Sequence, residues 1–293
     1  MKRRLFALAL ALLLAVSLPV SALARDWYID EGDITIRATE NGQTVSQGDT
    51  TEADDAPVIK QKDSSKSTSN TITIDAEEKT TANVTLDGVN IDASSREEKT
   101  AGIRTTGDGN VTIELDGNNS VKSAADAAGL QKNNSGNLTI KDGNTTAGKL
   151  EATGGRGGAG IGGGANESAS NITITGGEII ATGGNGGGRD SGPNSASGIL
   201  ISGGKVTATG GDFGGAGIGG GNWSSASDIT ITGGEVTAKG GTNGAGIGGG
   251  WNGRGGNLSV SISGDAQVKV QGGDSDYWAG AGAGIGNGGS GGG

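Results

Sequence analysis

The sequence repeats a short pattern at intervals of 27 to 34 residues, and this repetition limits the possible folds more than any other feature. Most copies read Asn or Asp, an aliphatic residue, Thr or Ser, and a second aliphatic residue. The copies are Asn83–Leu86, Asn110–Ile113, Asn137–Ile140, Asn171–Ile174, Gly198–Ile201, Asp228–Ile231 and Asn257–Val260. A period of this length is typical of solenoids, whose stacked repeats bury a core that one repeat could not bury alone.

Two further columns follow the first one in the same order within each repeat. The second column holds Leu150–Ala152, Ile179–Ala181, Val206–Ala208, Val236–Ala238 and Val268–Val270. The third column reads Ala-Gly-Ile or Ala-Gly-Leu and holds Ala101–Ile103, Ala128–Leu130, Ala159–Ile161, Ala216–Ile218, Ala245–Ile247 and Ala283–Ile285. One copy of the third column is missing, in the loop Gly186–Asn194. Columns that persist while the spacing varies indicate that the length differences lie in loops.

The columns are short and alternate with a period of two, which indicates strands and not helices. Three short strands per repeat, joined by glycine corners, predict an all-β fold: a three-sided, right-handed parallel β-helix with an irregular N-terminal cap. We expect Ile172, Ile174, Val206 and Ala208 to point inward and stack on their equivalents. Only 3% of the residues are aromatic, as suits a narrow aliphatic interior.

The first 24 residues have the pattern of a signal peptide. Lys2, Arg3 and Arg4 precede an apolar run over Leu5–Val20, and Ser21–Ala24 offers a cleavage site. A membrane anchor is the alternative, but the run is shorter than the roughly 20 residues that span a bilayer comfortably. The expected protein is therefore secreted or held at the cell surface, without membrane insertion after cleavage.

The remaining chain is expected to form three parts. Residues 25–82 fit the repeat poorly and are assigned to an N-terminal cap and first irregular coils. Residues 83–286 are assigned to the β-helix, and residues 287–293 to a Gly-rich tail. This tail is either a flexible linker or the point at which a longer protein was cut.

Composition excludes several kinds of chemistry. The chain contains no His and no Cys, so it has neither the commonest general base nor thiol catalysis, thiolate metal sites or disulfides. Loss of residues 1–24 leaves 19 basic against 32 acidic residues, a net charge of −13. Such an acidic chain is repelled by nucleic acid and by anionic membranes, although its carboxylates could attract Ca²⁺.

Two runs carry a resemblance to a known class of proteins. Gly-Ala-Gly-Ile-Gly-Gly-Gly recurs at 158–164, 215–221 and 244–250, and Ile-Thr-Ile-Thr-Gly-Gly-Glu recurs at 172–178 and 229–235. These runs resemble repeats of exported bacterial Gly-rich β-helix proteins that are carbohydrate-binding or adhesin-like and have a pectate-lyase-like architecture. The resemblance implies a polysaccharide or cell-surface glycan as the partner.

Aromatic residues are the candidates for ligand binding. Trp223 and Trp251 each follow a Gly-Gly-Gly corner, 28 residues apart, and Tyr277 and Trp278 lie one coil later. Flat rings repeated about every 4.8 Å along the coils could stack on sugar rings. The alternative is that these side chains cover glycine turns, and that Tyr277 and Trp278 cover the open C-terminal coil.

A polysaccharide lyase or hydrolase is the enzymatic alternative, and a purely structural surface stalk is a further one. Lyases of the resembling architecture use carboxylate-bound Ca²⁺ with a basic residue, whereas this chain has few acidic residues after position 150. Asp212, Asp274 and Asp276 could hold an isolated Ca²⁺, but aspartates scattered in turns more often stabilise turns. No catalytic residue and no required cofactor is therefore predicted.

Two columns are predicted to be structural. The polar residue before the first strand forms a ladder in which side chains bond to each other and to turn backbone: Asn83, Asn110, Asn137, Asn171, Asp228 and Asn257. Before the second strand the charge alternates from coil to coil, which disfavours slipped registers. Outward Thr pairs raise ice binding as a third class, but Leu200, Lys239 and Lys269 interrupt the Thr columns.

Overall fold

A computed structural model describes residues 25–144, 146–185, 196–253, 258–276 and 279–290. These residues form a parallel β-solenoid of about eight turns. The one helix within these ranges is the 3₁₀ turn Ile29–Glu31. The predicted signal peptide lies outside the described residues, so its cleavage stays a prediction. None of the helical structure in the described ranges has the length and apolarity that a membrane crossing requires.

The strands are short throughout. In the first half of the chain they are β1 Asp26–Tyr28, β2 Ile34–Thr39, β3 Gly42–Gln47, β4 Thr50–Ala53, β5 Val58–Lys60, β6 Ile72–Ala76, β7 Thr81–Asp87, β8 Asn90–Asp92, β9 Ile103–Gly107, β10 Asn110–Lys122, β11 Leu130–Lys132 and β12 Leu138–Lys141. In the second half they are β13 Gly148–Thr153, β14 Ile161–Gly162, β15 Ala169–Ile174, β16 Glu178–Thr182, β17 Ala196–Ile201, β18 Lys205–Thr209, β19 Ile218–Gly219, β20 Ile229–Ile231, β21 Glu235–Lys239, β22 Ile247–Gly248, β23 Val260–Ile262, β24 Gln267–Gln271 and β25 Ile285–Gly286.

The strands stack into three faces, which confirms the predicted three-sided parallel β-helix. Face 1 contains β1, β5, β7, β10, β12, β15, β17, β20 and β23. Face 2 contains β8, β10, β13, β16, β18, β21 and β24. Face 3 contains β2, β6, β9, β11 and β14, and then β19, β22 and β25. The long strand β10 serves two faces and turns between them at Gly117, where φ is 59°.

Equivalent aliphatic residues lie above one another inside the solenoid. On face 1 Ile140 is level with Ile174, which means that the two residues are register partners in adjacent parallel strands. Ile174 is in turn level with Ile201. On face 2 Val206 is level with Val236. These side chains are buried, as predicted for the inward positions. Each fully buried aliphatic side chain contributes about 1.5–3 kcal/mol, so the stacked columns supply the main stabilisation of a chain with few large residues.

The parallel stacking begins at β1, within the segment 25–82 that the sequence assigns to a cap and irregular coils. The hairpin β3–β4 pairs antiparallel with β2 and extends face 3 beyond the first coil. Gln43 of this hairpin takes the place of a missing strand beside β7. Its Oε1 accepts the N–H of Asn83 at 2.8 Å, and its Nε2 donates to the carbonyl oxygen of Asn83 at 2.9 Å. The hairpin thus satisfies backbone groups that the first coil leaves unpaired.

The register departs from the predicted ladder at both ends of the repeat. Asn83 is level with Thr112 and not with Asn110, so Asn83 is not a member of the ladder. This register places Leu86 on Leu115 inside the first face. At the other end Val260, and not Leu258, is level with Ile229. With this pairing, the corner between β23 and β24 is one residue longer than the corner between β20 and β21. The predicted alignment would make it three residues longer.

Face 3 is interrupted once. β14 pairs with β11, and β19 pairs with β22, but within the described residues no strand pairs between β14 and β19. The coil at this level contributes β15 and β16 to the other two faces. Its third side corresponds to the loop Gly186–Asn194, where the Ala-Gly-Ile sequence is missing and which lies outside the described residues.

Candidate functional site

The glycine-rich turns after β19 and β22 bring two tryptophans together on neighbouring coils. β19 and β22 pair in parallel with Ile218 beside Ile247. The N–H of Trp223 donates to the carbonyl oxygen of Trp251 at 2.7 Å. Trp223 has a φ of 61°, a left-handed conformation that is uncommon for a bulky residue.

The two indole rings meet at an angle and are not parallel. Their centroids are 5.5 Å apart, and their planes are inclined by 64°. The two rings are therefore not stacked face to face, since the ring quadrupole favours the edge-to-face arrangement. Trp223 is 42% exposed, whereas Trp251 is half-buried beneath it. The pair thus offers one open ring supported by a second ring.

A third aromatic residue, which sequence reasoning missed, lies beside this pair. Phe213 is 62% exposed. The next residue, Gly214, accepts the N–H of Trp251 through its carbonyl oxygen at 2.7 Å. The sequence did contain a signal for Phe213, because the chain has only two phenylalanines and the other, Phe6, lies in the apolar run of the predicted signal peptide. We call Phe213, Trp223 and Trp251 the aromatic corner.

The other aromatic residues that the structure describes do not join this group. Tyr277 and Trp278 lie outside the described residues, so their predicted roles stay predictions. Trp27 is buried at the N-terminal end, where its Nε1 donates to Asp54 Oδ2 at 2.9 Å. Tyr28 lies beside the ammonium group of Lys62, 5.1 Å from the ring centroid. These two aromatics stabilise the first coil.

The three aspartates named as possible Ca²⁺ ligands are all exposed on turns. Asp276 Oδ1 accepts the N–H of Ala279 at 2.9 Å, which is a turn-stabilising bond. The backbone carbonyl of Asp274 accepts the N–H of Asn243, and Asp212 directly precedes Phe213. Within the described part of the chain, no three acidic side chains come together as a metal site would require.

The polar ladder on face 1 lies at the surface and bonds mainly to backbone. Asn110 Oδ1 accepts the N–H of Asn137 on the next coil at 2.9 Å. Asn171 and Asp228 adopt φ of 58° and 53°, which Asn and Asp tolerate better than other side chains. Asn257 lies outside the described residues. These contacts support the structural interpretation for the described members other than Asn83.

One buried corner amide belongs to Asn119, which the sequence pattern did not single out. Its Nδ2 donates to the carbonyl oxygens of Asp116 and Lys149 at 2.9 and 3.0 Å, and its Oδ1 accepts the N–H of Val89 at 3.1 Å. Asn119 thus links three consecutive coils where β10 turns from face 1 to face 2. Its sequence signal was weak, because the asparagine occurs here in one repeat only.

The alternating charges on face 2 have the predicted register. Lys149 is level with Glu178, Glu178 with Lys205, and Lys205 with Glu235. Lys205 Nζ lies 3.4 Å from Glu178 Oε1. Lys149 pairs with Glu151 on its own strand, and this hydrogen bond raises the pKa of Lys149 above its usual value. Exposed pairs of this kind stabilise the fold little, but they penalise a slipped register.

Comparison with known proteins finds a match within the repeats. A family model described as a beta helix repeat matches residues 172–198, 199–222 and 229–251. The third match ends at Trp251, and Phe213 and Trp223 lie in or directly after the second. No curated protein and no solved structure matches the chain. The matches and the stacked coils agree that these residues form β-helix repeats.

Proposed function

We propose that this is an exported, non-catalytic protein that binds a polysaccharide or a cell-surface glycan at the aromatic corner. The observation that carries the proposal is the clustering of Phe213, Trp223 and Trp251 at one corner of a chain that is otherwise poor in aromatic residues. Exposed apolar side chains gathered at one place mark a binding surface more often than scattered ones do.

The exposure of the corner fits an adhesin-like role in which sugar rings lie against open aromatic faces. Phe213 and Trp223 offer open rings, and Trp251 fixes the ring of Trp223 from below. A cover for glycine turns would need its rings to be largely buried. The side chain of Trp251 is half-buried, whereas the side chains of Trp223 and Phe213 are exposed.

Two alternatives to glycan binding can be distinguished from it by experiment. A polysaccharide lyase or hydrolase would release unsaturated or reducing ends from a pectin-like polymer in the presence of Ca²⁺. A structural stalk would bind no glycan at all. Within the described structure, Asp212, Asp274 and Asp276 do not form a group of three carboxylates that could hold a metal ion.

The test is affinity electrophoresis of the exported chain in gels that contain candidate polysaccharides identified by a glycan array. We expect Trp223→Ala to weaken retention at least about tenfold, which corresponds to about 1.4 kcal/mol, without changing the melting temperature. Tyr28→Ala is the matched control, because Tyr28 is an aromatic residue at the opposite end. Equal retention of Trp223→Ala and Tyr28→Ala, or no retention of the wild type on any glycan, would overturn the proposal.

A further inference from the structure

A buried carboxylate lies against the backbone nitrogen of Arg25. Asp54 directly follows β4 and is 1% exposed. Its Oδ2 accepts the N–H of Arg25 at 3.2 Å and the Nε1–H of Trp27 at 2.9 Å, and its Oδ1 accepts the N–H of Ala56 at 3.1 Å. Among the described residues, no Lys or Arg side chain forms an ion pair with Asp54. Three N–H donors stabilise a carboxylate, but they do not neutralise its charge.

Arg25 is held in place by three further contacts. Its carbonyl oxygen accepts the N–H of Val58 in β5 at 3.0 Å. Its guanidinium group pairs with the carboxylate of Glu52 in β4, and it lies 4.7 Å from the centroid of the Trp27 ring. The backbone nitrogen of Arg25 is therefore fixed beside Asp54 by contacts of its own residue with two strands.

The predicted signal-peptide cleavage falls on the bond that precedes this nitrogen. Ala22 and Ala24 form the small-residue pattern that signal peptidases recognise, and Arg25 follows directly. Hydrolysis of the bond between Ala24 and Arg25 consumes one water molecule and leaves a carboxylate on Ala24 and a free amine on Arg25. This amine takes up a proton at pH 7, because an α-amino group has a pKa of about 7.7–8.0. Cleavage thus turns the N–H donor beside Asp54 into a cation.

We propose that Arg25 is the N-terminus of the processed protein, and that its α-ammonium group forms an ion pair with Asp54 that holds the hairpin β3–β4 on the first coil. The N–H of Asp54 donates to the carbonyl oxygen of Gln43 at 3.0 Å, and Gln43 Nε2 donates to the carbonyl oxygen of Asp54 at 3.0 Å. Since Gln43 also pairs with Asn83, the contacts run from the new N-terminus to the edge of β7. This inference rests on the predicted cleavage and not on glycan binding.

The test compares two wild-type chains that differ only in their first residue. One begins at Arg25 and the other at Leu23, and each is released from a fusion partner by a protease that leaves no extra residue. The longer chain keeps the N–H of Arg25 as a donor but carries its ammonium group two residues away. We expect the chain that begins at Arg25 to melt about 3–6 °C higher at pH 6.5.

This difference in melting temperature should depend on pH. A nearby carboxylate raises the pKa of an amine above its value of about 7.7–8.0 in the unfolded chain. The stabilisation is therefore present in full at pH 6.5, is lost as the pH rises through the folded pKa, and should be absent at about pH 10. The neighbouring charged groups are the Arg25 guanidinium with Glu52, Asp26 with Lys60, and Asp55. They are the same in both chains, so their titration cancels in the comparison.

Asp54→Asn, made in both chains, removes the charge and keeps an acceptor oxygen. We expect it to abolish the difference between the two N-termini. Asp55→Asn is the matched control, because Asp55 is an adjacent, exposed carboxylate whose Oδ1 accepts the N–H of Gln43 at 3.1 Å. If Asp54→Asn does not fold, competitive acetylation of the wild type that begins at Arg25 decides the question. Its α-amine should react readily only above about pH 9.

The outcomes separate the ion pair from the cleavage. Equal melting temperatures of the two wild-type chains at pH 6.5, a difference that persists at pH 10 or one that survives Asp54→Asn would overturn the ion pair. N-terminal sequencing of the protein secreted by a bacterial host that expresses residues 1–293 should begin at Arg25. A different first residue would overturn the assignment of the processed N-terminus.

Discussion

At the scale of single residues, a lysine lies inside the solenoid. Lys132 is 2% exposed because it follows Leu130 by two residues in β11 and therefore points to the same side. It is level with Thr105 on the preceding coil, and its Nζ donates to the carbonyl oxygen of Asn134. Burial lowers the pKa of Lys132 from 10.5 to about 8, because desolvation disfavours the charged form.

We expect Lys132→Met to stabilise the protein at pH 7. Below pH 8 the lysine is protonated in both the folded and the unfolded chain, so the folded state bears the whole penalty of the buried charge. A shift from 10.5 to about 8 corresponds to a penalty of up to about 3 kcal/mol. Because the folded pKa is the lower one, wild-type stability should rise between pH 8 and 10.5.

The measurement is urea unfolding of both proteins at pH 7 and at pH 10.5. The gain from Lys132→Met should be largest at pH 7 and should shrink at the higher pH. A gain that is the same at both values, or a loss at pH 7, would show that Lys132 is not buried as a charge.

At the scale of elements, glycine allows successive coils to approach closely at the corners. Gly155 has an ordinary negative φ, yet a Cβ built on it would overlap the carbonyl oxygen of Ala124 on the previous coil. The N–H of Gly155 also donates to Ala127 O at 3.0 Å. By contrast, a Cβ on Gly221 would meet no atom within 4 Å. A side chain is thus excluded at Gly155 by the neighbouring coil but not at Gly221, although the sequence does not distinguish the two glycines.

We expect Gly155→Ala to lower the free energy of unfolding by about 2 kcal/mol or more, since backbone atoms must move to accept the methyl group. Gly221→Ala should change it by less than about 1 kcal/mol, because the site is open. Chemical denaturation of the two variants measures both values. Similar losses in the two would mean that the cost comes from glycine content in general and not from contact between coils.

At the scale of the whole molecule, the two ends of the solenoid are different. The hairpin β3–β4 and the side chain of Gln43 cover the N-terminal end. At the other end of the described structure, β23, β24 and β25 each have a partner on one side only. Ile262 and Ile285 there are 42% and 47% exposed. Unpaired strand edges beside exposed aliphatic side chains favour association with another chain.

We expect a protein of residues 25–293 to associate in a concentration-dependent manner through these unpaired strands. Ile285→Lys should reduce the association, because a charge on an edge strand opposes pairing with a second edge. Light scattering over a concentration series measures the effect, and Thr50→Lys, on the exposed outer strand β4 of the opposite end, is the control. Association that responds to Thr50→Lys and not to Ile285→Lys would place the contact at the N-terminal end.

The repeat by itself determined the architecture. A period of two within each column fixes which residues point inward, and three columns in constant order fix three faces, so Ile172, Val206 and Ile218 could be placed in the core from the sequence. The same periodicity places Lys132 inside beside Leu130. Its burial was not anticipated, because charge by itself suggests an exposed position.

Only the tertiary structure decided how unlike parts fit together. The register of Asn83 goes with its hydrogen bonds to Gln43, 40 residues earlier. The register of Val260 goes with the length of the corner between β23 and β24. The angle between Trp223 and Trp251 and the proximity of Phe213 likewise arise from contacts between different coils. The periodicity of the sequence specifies the features that all coils share. The features named here depend on contacts between residues that do not occupy equivalent positions in the repeat.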